Sequence, residues 1–496
     1  MNTRNVHVIL SLLSCLTMQG AETPMEVESS AEEQCLVCMH SCKNLACTSF
    51  GKSIIDNFSC PVSTICQGLL VLAKSRDSFW RFAIVIGIGG ENKVKVHLCD
   101  SHTLREYKKK EIRQPRPIWS FIWQPEQPKV RALSIIQSYI NLYKRMNPAP
   151  FMQTLLIDPK ATIYVIGDIH GSSKSVLTFF KALCSANRLD DDLKLQSNTY
   201  IIFTGDYTDR GSHGIRVWNM LCTLKLTNPT QVFLIRGNHE TFGMNPQNFI
   251  QEWGNVMQAY PSTANIRMLE ELFSSLPQAV FLGIKDPRST QDHPIHHFLM
   301  FCHGGIDYAI PVQKMLKDYI AITRTTTNTV IMQYTFTYRL QELSGLLWSD
   351  FTANSDETEP ALSSASSRGE CMLTFNSAAA AAYLKKQGSD DPENQFDINA
   401  LFRGHQHVPG GISRLNKVRT DNSSWTPLQH NVPEYIEQGS VYTCTSSPEG
   451  LADFDCFEDS FAQIERDETQ WKLTPHIFTR VPKKFFRTMQ TVQFRL

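Results

Sequence analysis

No stretch of this sequence reaches the roughly 18 to 20 apolar residues that a membrane-crossing helix needs, so nothing in it reads as a transmembrane segment. Excess charge of one sign is also missing, because Lys plus Arg and Asp plus Glu stand at 48 each in 496 residues. That balance excludes a general affinity for nucleic acid or anionic membrane and leaves any functional charge to be local. No internal repeat is found in it either. A second C-x-x-C is lacking too: Cys35 and Cys38 have the spacing of half a zinc site, with His40, Cys42 and Cys47 following, but no matching pair completes it. For the cysteines before residue 67 (Cys15, Cys35, Cys38, Cys42, Cys47, Cys60 and Cys66), zinc, disulfide and simple thiol all stay open. A clean small-x-small cleavage site is absent, although Arg4 precedes an apolar stretch from Val6 to Met18 in the outline of a secretory leader.

What is present is enough apolar content, 42%, for one large core and a smaller second one. Residues 1–30 read as a leader-like or disordered segment, and 31–127 as a small Cys-containing module with strand-like runs at Phe82–Gly87 and Lys93–Leu98. Pro115, Pro117, Pro125 and Pro128 punctuate a linker, and Val130–Met146 has helical periodicity. From Thr162 the pattern becomes α/β: apolar runs at Tyr164–Ile166, Tyr200–Phe203, Val232–Ile235 and Phe298–Phe301 alternate with helix-like stretches such as Ser173–Cys184 and His213–Leu224. Asn354–Ser367 reads as a surface loop, Ala378–Lys386 as a helix, and Val441–Cys444, Phe461–Glu465 and Trp471–Phe478 as further strands. Residues 481–496 read as a tail.

Each early run ends in a burst of Gly, Asp, Asn or His: Gly167-Asp168-Ile169-His170-Gly171, Gly205-Asp206-Tyr207-Thr208-Asp209-Arg210-Gly211, Arg236-Gly237-Asn238-His239-Glu240 and His303-Gly304-Gly305. Arg403-Gly404-His405 follows Ala400-Leu401-Phe402 in the same way. Side chains from several strands converge beyond their carboxyl ends. Carboxylate, imidazole and amide oxygen together suit borderline divalent ions such as manganese, iron or zinc, whereas calcium would take nearly all oxygen. One Gly-Asp or His-Gly alone is usually a turn or cap; five such pieces in order are the pattern of a built site.

These five blocks resemble the PPP-type phosphoprotein phosphatases of the calcineurin-like metallophosphoesterases, and Leu346-Leu347-Trp348-Ser349-Asp350, Ser367-Arg368-Gly369 and Thr445-Ser446-Ser447-Pro448 match later family blocks in order. The resemblance covers roughly residues 130–480 and implies that they form a catalytic domain, a metallophosphoesterase β-sandwich flanked by helices, with a dinuclear metal site at one end. It implies that Asp168 and His170 hold the first of two divalent ions, that Asp206 bridges, and that Asn238, His303 and His405 complete the second. Manganese is the expected metal, with iron or zinc as alternatives. Hydrolysis would proceed by direct attack of a metal-bridging hydroxide on a phosphoserine or phosphothreonine protein, with phosphotyrosine not excluded. His239 would be the general acid, oriented by Asp209, and Arg210, Arg236 and Arg368 would grip phosphate. Glu240 is expected to support the ligands from behind. A small-molecule phosphoesterase, such as a dinucleoside polyphosphate hydrolase, and an inactive scaffold are the alternatives.

The sequence also departs from the family pattern. Thr208 replaces a common Val, Ile306-Asp307-Tyr308 replaces the usual Ser-Pro, and Phe351 stands where Pro is expected, changes expected to alter the rim of the site. Glu449-Gly450-Leu451-Ala452 follows Ser447-Pro448 where the family continues Asn-Tyr-Cys-Gly, so the tyrosine over the phosphate is missing. An extra N-terminal module and an altered rim resemble the eukaryotic-like phosphatases that intracellular bacteria deliver into host cells. Secretion or host delivery as an effector is therefore an expectation, with no nucleic-acid partner and with the regulatory or targeting partner unspecified.

Overall fold

The computed structural model describes residues 70–74, 80–89, 93–98, 104–108, 112–113, 135–141, 152–241, 247–257, 262–290, 293–325, 331–334, 345–353, 362–363, 373–408, 410–420, 423–446 and 458–479. The leader-like stretch, the early cysteines, the proline linker, Arg368, the Glu449 turn and residues 481–496 lie outside the described residues, as does most of the Asn354–Ser367 stretch.

Toward the N-terminus, β1 (Leu70–Lys74), β2 (Trp80–Gly89), β3 (Lys93–Leu98), β4 (Leu104–Lys108) and β5 (Ile112–Arg113) form an antiparallel sheet in the order β4-β3-β2-β1-β5. A helical stretch at 135–141 follows.

Two larger sheets then face each other. Their strands are β6 (Met152–Leu156), β7 (Thr162–Ile166), β8 (Thr199–Phe203), β9 (Val232–Leu234), β10 (Ala279–Lys285), β11 (Ile295–Cys302) and β12 (Met332–Tyr334), and, beyond the short β13 (Asp350–Phe351), β14 (Leu362–Ser363) and β15 (Thr374–Phe375), a second run. That run is β16 (Gln395–Arg403), β17 (Ile412–Thr420), β18 (Ser423–Pro427), β19 (Glu434–Tyr435), β20 (Ser440–Cys444), β21 (Glu458–Arg466) and β22 (Trp471–Thr479). One sheet has the order β12-β6-β10-β11-β16-β20-β17-β18 and the other β19-β22-β21-β7-β8-β9. The helices are α1 (Ser173–Ser185), α2 (Gly214–Thr227), α3 (Gln247–Met257), α4 (Thr263–Ser274), α5 (Val312–Thr325), α6 (Gly345–Trp348) and α7 (Ser377–Gln387).

Between the sheets lies a core of Val165, Ile202, Phe233, Val280, Phe402, Tyr442 and Leu473 among others. The outer face of the six-stranded sheet is covered by α1 to α4 through Phe179, Trp218, Trp253 and Phe273, and that of the eight-stranded sheet by α5 and α7 through Tyr319 and Tyr383. With both faces covered, β7 is apolar at every position but Thr162 and buried along its whole length, as parallel strands between helices and a second sheet must be. Each fully buried phenylalanine, such as Phe203 and Phe233, contributes roughly 1.5–3 kcal/mol by leaving water. Helix starts are set by polar caps: Ser172 accepts from the Ser175 amide, Ser262 from Asn265 and Asn376 from Ala379.

β11 and β16 run longer than their apolar stretches promise. β11 begins at Ile295 and β16 at Gln395, and each alternates buried with half-buried residues in its first half before becoming fully buried. The polar His296, His297, Asp397 and Asn399 mask those first halves in the sequence. Parallel pairing of β7, β8 and β9, and of β11, β16 and β20, gathers their carboxyl ends at one end of the sandwich.

Candidate functional site

At that end the five sequence blocks meet. His303, after β11, places Nδ1 2.9 Å from the Thr204 carbonyl after β8, so the two sheets touch across the site. The His405 amide donates to both oxygens of Asp168, each at 3.0 Å. The backbone is bent hard to achieve this: His170, Asp206, Asp209, Arg210 and His405 all adopt left-handed φ, from 42° to 69°. Such conformations are uncommon outside glycine and concentrate where a site overrides local preference.

In each of three groups the ligating atoms lie within 4.8 Å of one another: Asp168 with His170 and His407, Asp206 with His170 and His239, and Asp168 with Asp206 and His303. Asn238 joins them, with Oδ1 2.8 Å from His303 Nε2 and 3.1 Å from His405 Nδ1. All six sequence-predicted ligands are therefore brought together. His239 and Asp209 form a pair, Nδ1 to Oδ2 at 2.9 Å, and Arg210 lies near His407. Arg236 is buried and donates through Nε to the Glu240 carbonyl at 3.1 Å.

The chemistry of this donor set fits a cation. His170 Nδ1 is held 3.0 Å from the Thr208 carbonyl, which fixes the proton there and leaves a lone pair on Nε2. That Nε2 is buried with no hydrogen-bond partner. Burial pushes the imidazole down to about 3, which keeps it neutral. His303, by contrast, resists burial and is raised, because Asp206 and Asp168 draw a proton onto it. Burial would raise Asp206, but His303 and His239 hold it well below the carboxylate range. Turning the Asn238 amide over would let its nitrogen donate to His303, His405 and Asp206; an oxygen facing those atoms is the orientation that a cation favours.

Behind the ligands, Glu240 accepts from the amides of Asp206, Tyr207 and Gly237, at 2.8, 2.9 and 2.9 Å, and burial carries it up to about 7. Arg403 is wholly buried and ties three segments together, donating to the Gly304 carbonyl, to Gln406 Oε1 at 2.7 Å and to the Ser349 carbonyl at 3.1 Å. Phe351, expected at the rim, is 1% exposed and lies under that guanidinium, its amide donating to Gln406 at 2.8 Å. A proline there would lack the N–H that this bond uses. Ile306 is likewise core rather than rim, while Tyr308 is 50% exposed.

Two features escaped the sequence. His407, two residues past His405, places Nε2 3.1 Å from Asp168 Oδ2 and could join the first group; the H-x-H spacing was the available signal. The other is α3, whose first turn presents the Phe249 amide to Asp209 Oδ1 at 3.1 Å, while Glu252 accepts from Gly214 and Ile215 at the start of α2.

Gly404 shows how tight the packing is: a Cβ there would lie 2.1 Å from Asp168 Oδ1. Gly404→Ala is expected to weaken divalent-ion affinity by roughly 10- to 100-fold by displacing that carboxylate. Calorimetric titration with manganese checks it, and unchanged affinity would remove Asp168 from the ligand set.

Residues 161–409 match the calcineurin-like phosphoesterase family. A probable serine/threonine-protein phosphatase from Encephalitozoon cuniculi is 27% identical over 252 residues, covering 50% of this chain and 43% of that protein. A serine/threonine-protein phosphatase from Candida albicans is 31% identical over 171 residues, 34% of each. The match spans less than half the length of these curated relatives. Among solved structures, a protein serine/threonine phosphatase from Saccharomyces cerevisiae aligns with a TM-score of 0.44 and 20% identity over 71% of this chain and 90% of that one.

Proposed function

From a chain that belongs to the calcineurin-like phosphoesterase family, we propose a metal-dependent protein phosphatase that hydrolyses phosphoserine and phosphothreonine. The observation that carries this reading is the convergence of the Asp168, His170, Asp206, Asn238, His303 and His405 donor atoms beside the His239–Asp209 pair. The sequence relatives, named as serine/threonine phosphatases, support the substrate class.

Two divalent ions, of a kind such as manganese, iron or zinc that the mixed oxygen and nitrogen donor set suits, would be held by those residues, with His407 as a further candidate at the first. When bound they would acidify a water and offset charge on phosphate oxygens. The protein's own groups do the rest. Arg210 and Arg236 would bind phosphate oxygens, a task for which the guanidinium fork is suited. Asp209 Oδ2 accepts the Nδ1 proton of His239, which leaves the Nε2 proton for the departing oxygen. Burial works against a charged His239, but Asp206 and the Asp209 hydrogen bond carry it up to about 9.

A pH effect follows with a definite sign. Because the Asp209 carboxylate favours the charged imidazole, Asp209→Asn lowers the pH at which His239 loses its proton. The alkaline limb of kcat/KM is expected to move to lower pH in that variant, and a limb that stays in place would separate His239 from the proton transfer.

The function itself is tested with manganese-loaded protein on phosphoserine, phosphothreonine and phosphotyrosine peptides beside dinucleoside polyphosphates. Phosphoserine and phosphothreonine peptides are expected to dominate. Nucleotide hydrolysis in excess of peptide hydrolysis would overturn the substrate class, and no hydrolysis of either would leave a scaffold.

A further inference from the structure

His407 lies between two groups that make opposite demands on its ring. Nε2 is 3.1 Å from Asp168 Oδ2, and Nδ1 is 3.4 Å from a terminal nitrogen of Arg210. A carboxylate only accepts and a guanidinium only donates. Of the two contacts only that to Arg210 has hydrogen-bond geometry, and a neutral ring whose Nδ1 lone pair accepts from Arg210 carries its proton on Nε2, the nitrogen near Asp168. The side chain is 9% exposed and meets His170 edge-on at 5.5 Å, so its orientation is held by its surroundings. Yet Nε2 is also the atom that would complete the Asp168–His170–His407 group, and ligation requires its lone pair.

Resting on the metal-centre reading above, we propose that His407 is a positioning residue for Arg210, holding the guanidinium until the first ion binds and then releasing it toward the substrate phosphate. The proton balance is closed. Ligation breaks the Nε2–H bond, an N–H bond forms at Nδ1, and the ring remains neutral. Nδ1–H then faces a guanidinium that has no acceptor, so the contact between them becomes repulsive and is lost. Arg210 is thereby delivered to an anion only when the ion that polarises that anion is in place. This coupling needs both a second imidazole after His405 and the arginine that follows Asp209, and the structure puts the two side by side.

Histidine-labelled protein observed by nitrogen-15 NMR reads the tautomer directly, with zinc as the diamagnetic probe and His407→Asn to assign the ring. Metal-free protein is expected to carry the His407 proton on Nε2, and zinc-loaded protein on Nδ1. Stoichiometric zinc uptake with the proton still on Nε2 overturns the proposal and leaves the metal centre standing; no zinc uptake overturns both. A calorimetric double-mutant cycle gives a second readout that Arg210's charge alone would not move. Because contact and ligation exclude one another, Arg210→Ala should raise zinc affinity roughly three- to tenfold more in the wild-type background than in His407→Asn. Equal gains in the two backgrounds would overturn the coupling.

Discussion

Asp206→Asn is expected to lower metal-dependent phosphate release on the order of 10³-fold. Asp206 belongs to two of the three ligand groups, one with His170 and His239 and the other with Asp168 and His303. Its two oxygens face opposite sides, Oδ2 lying 3.5 Å from His170 Nε2 and Oδ1 3.3 Å from His303 Nε2. Asparagine keeps the shape, so the fold should persist, but it removes the charge and turns one acceptor into a donor aimed at an imidazole lone pair. Metal content should fall together with kcat. The measurement is phosphate release from a phosphothreonine peptide beside elemental analysis of the purified variant. A loss under tenfold with full metal content would place the ions elsewhere.

His239→Asn is expected to reduce kcat by roughly 10²- to 10⁴-fold on phosphoserine peptides, the range for loss of a positioned general acid. The size of the defect should depend on what leaves. A serine alkoxide is strongly basic and needs a proton as the bond breaks; a nitrophenolate leaves without one. The same variant should therefore lose much less on an aryl phosphate. His239 is well placed for this contrast, because Asp209 holds Nδ1 while Nε2 is turned into the site, 4.0 Å from Asp206 Oδ2. Equal losses on both substrates would assign His239 to binding or structure instead.

The candidate ligands were legible in the sequence because each follows a short apolar run and is flanked by glycine. Local pattern is enough to find Asp168, Asp206, Asn238 and His303 when the strand and the turn lie within a few residues of each other. What stayed hidden depends on distant partners. Arg403 reads as one more charged residue beside a glycine until Gly304, Ser349 and Gln406 are seen around it. Phe351 reads as rim because proline is expected there, whereas its burial comes from packing beneath that same arginine. The link from α3 to Asp209 is a backbone amide and so leaves no mark in residue identity. Strands β11 and β16 were half visible, since their polar first halves pair through the backbone without an apolar run to announce them.

The order of strands in the six-stranded sheet bears on how the chain is made. β7, which delivers Asp168, is bordered on one side by β8 and on the other by β21, and Thr162 is hydrogen-bonded to Glu465 across 303 positions of chain. During synthesis from the N-terminus, β7 has its β8 partner early but keeps one edge open until residues 458–466 emerge. Contacts of such long range are slow to form, and an unpaired strand edge is an invitation to other chains. A chain stopped short of β21 would therefore carry Asp168 beside an uncompleted sheet and be prone to stick to its neighbours.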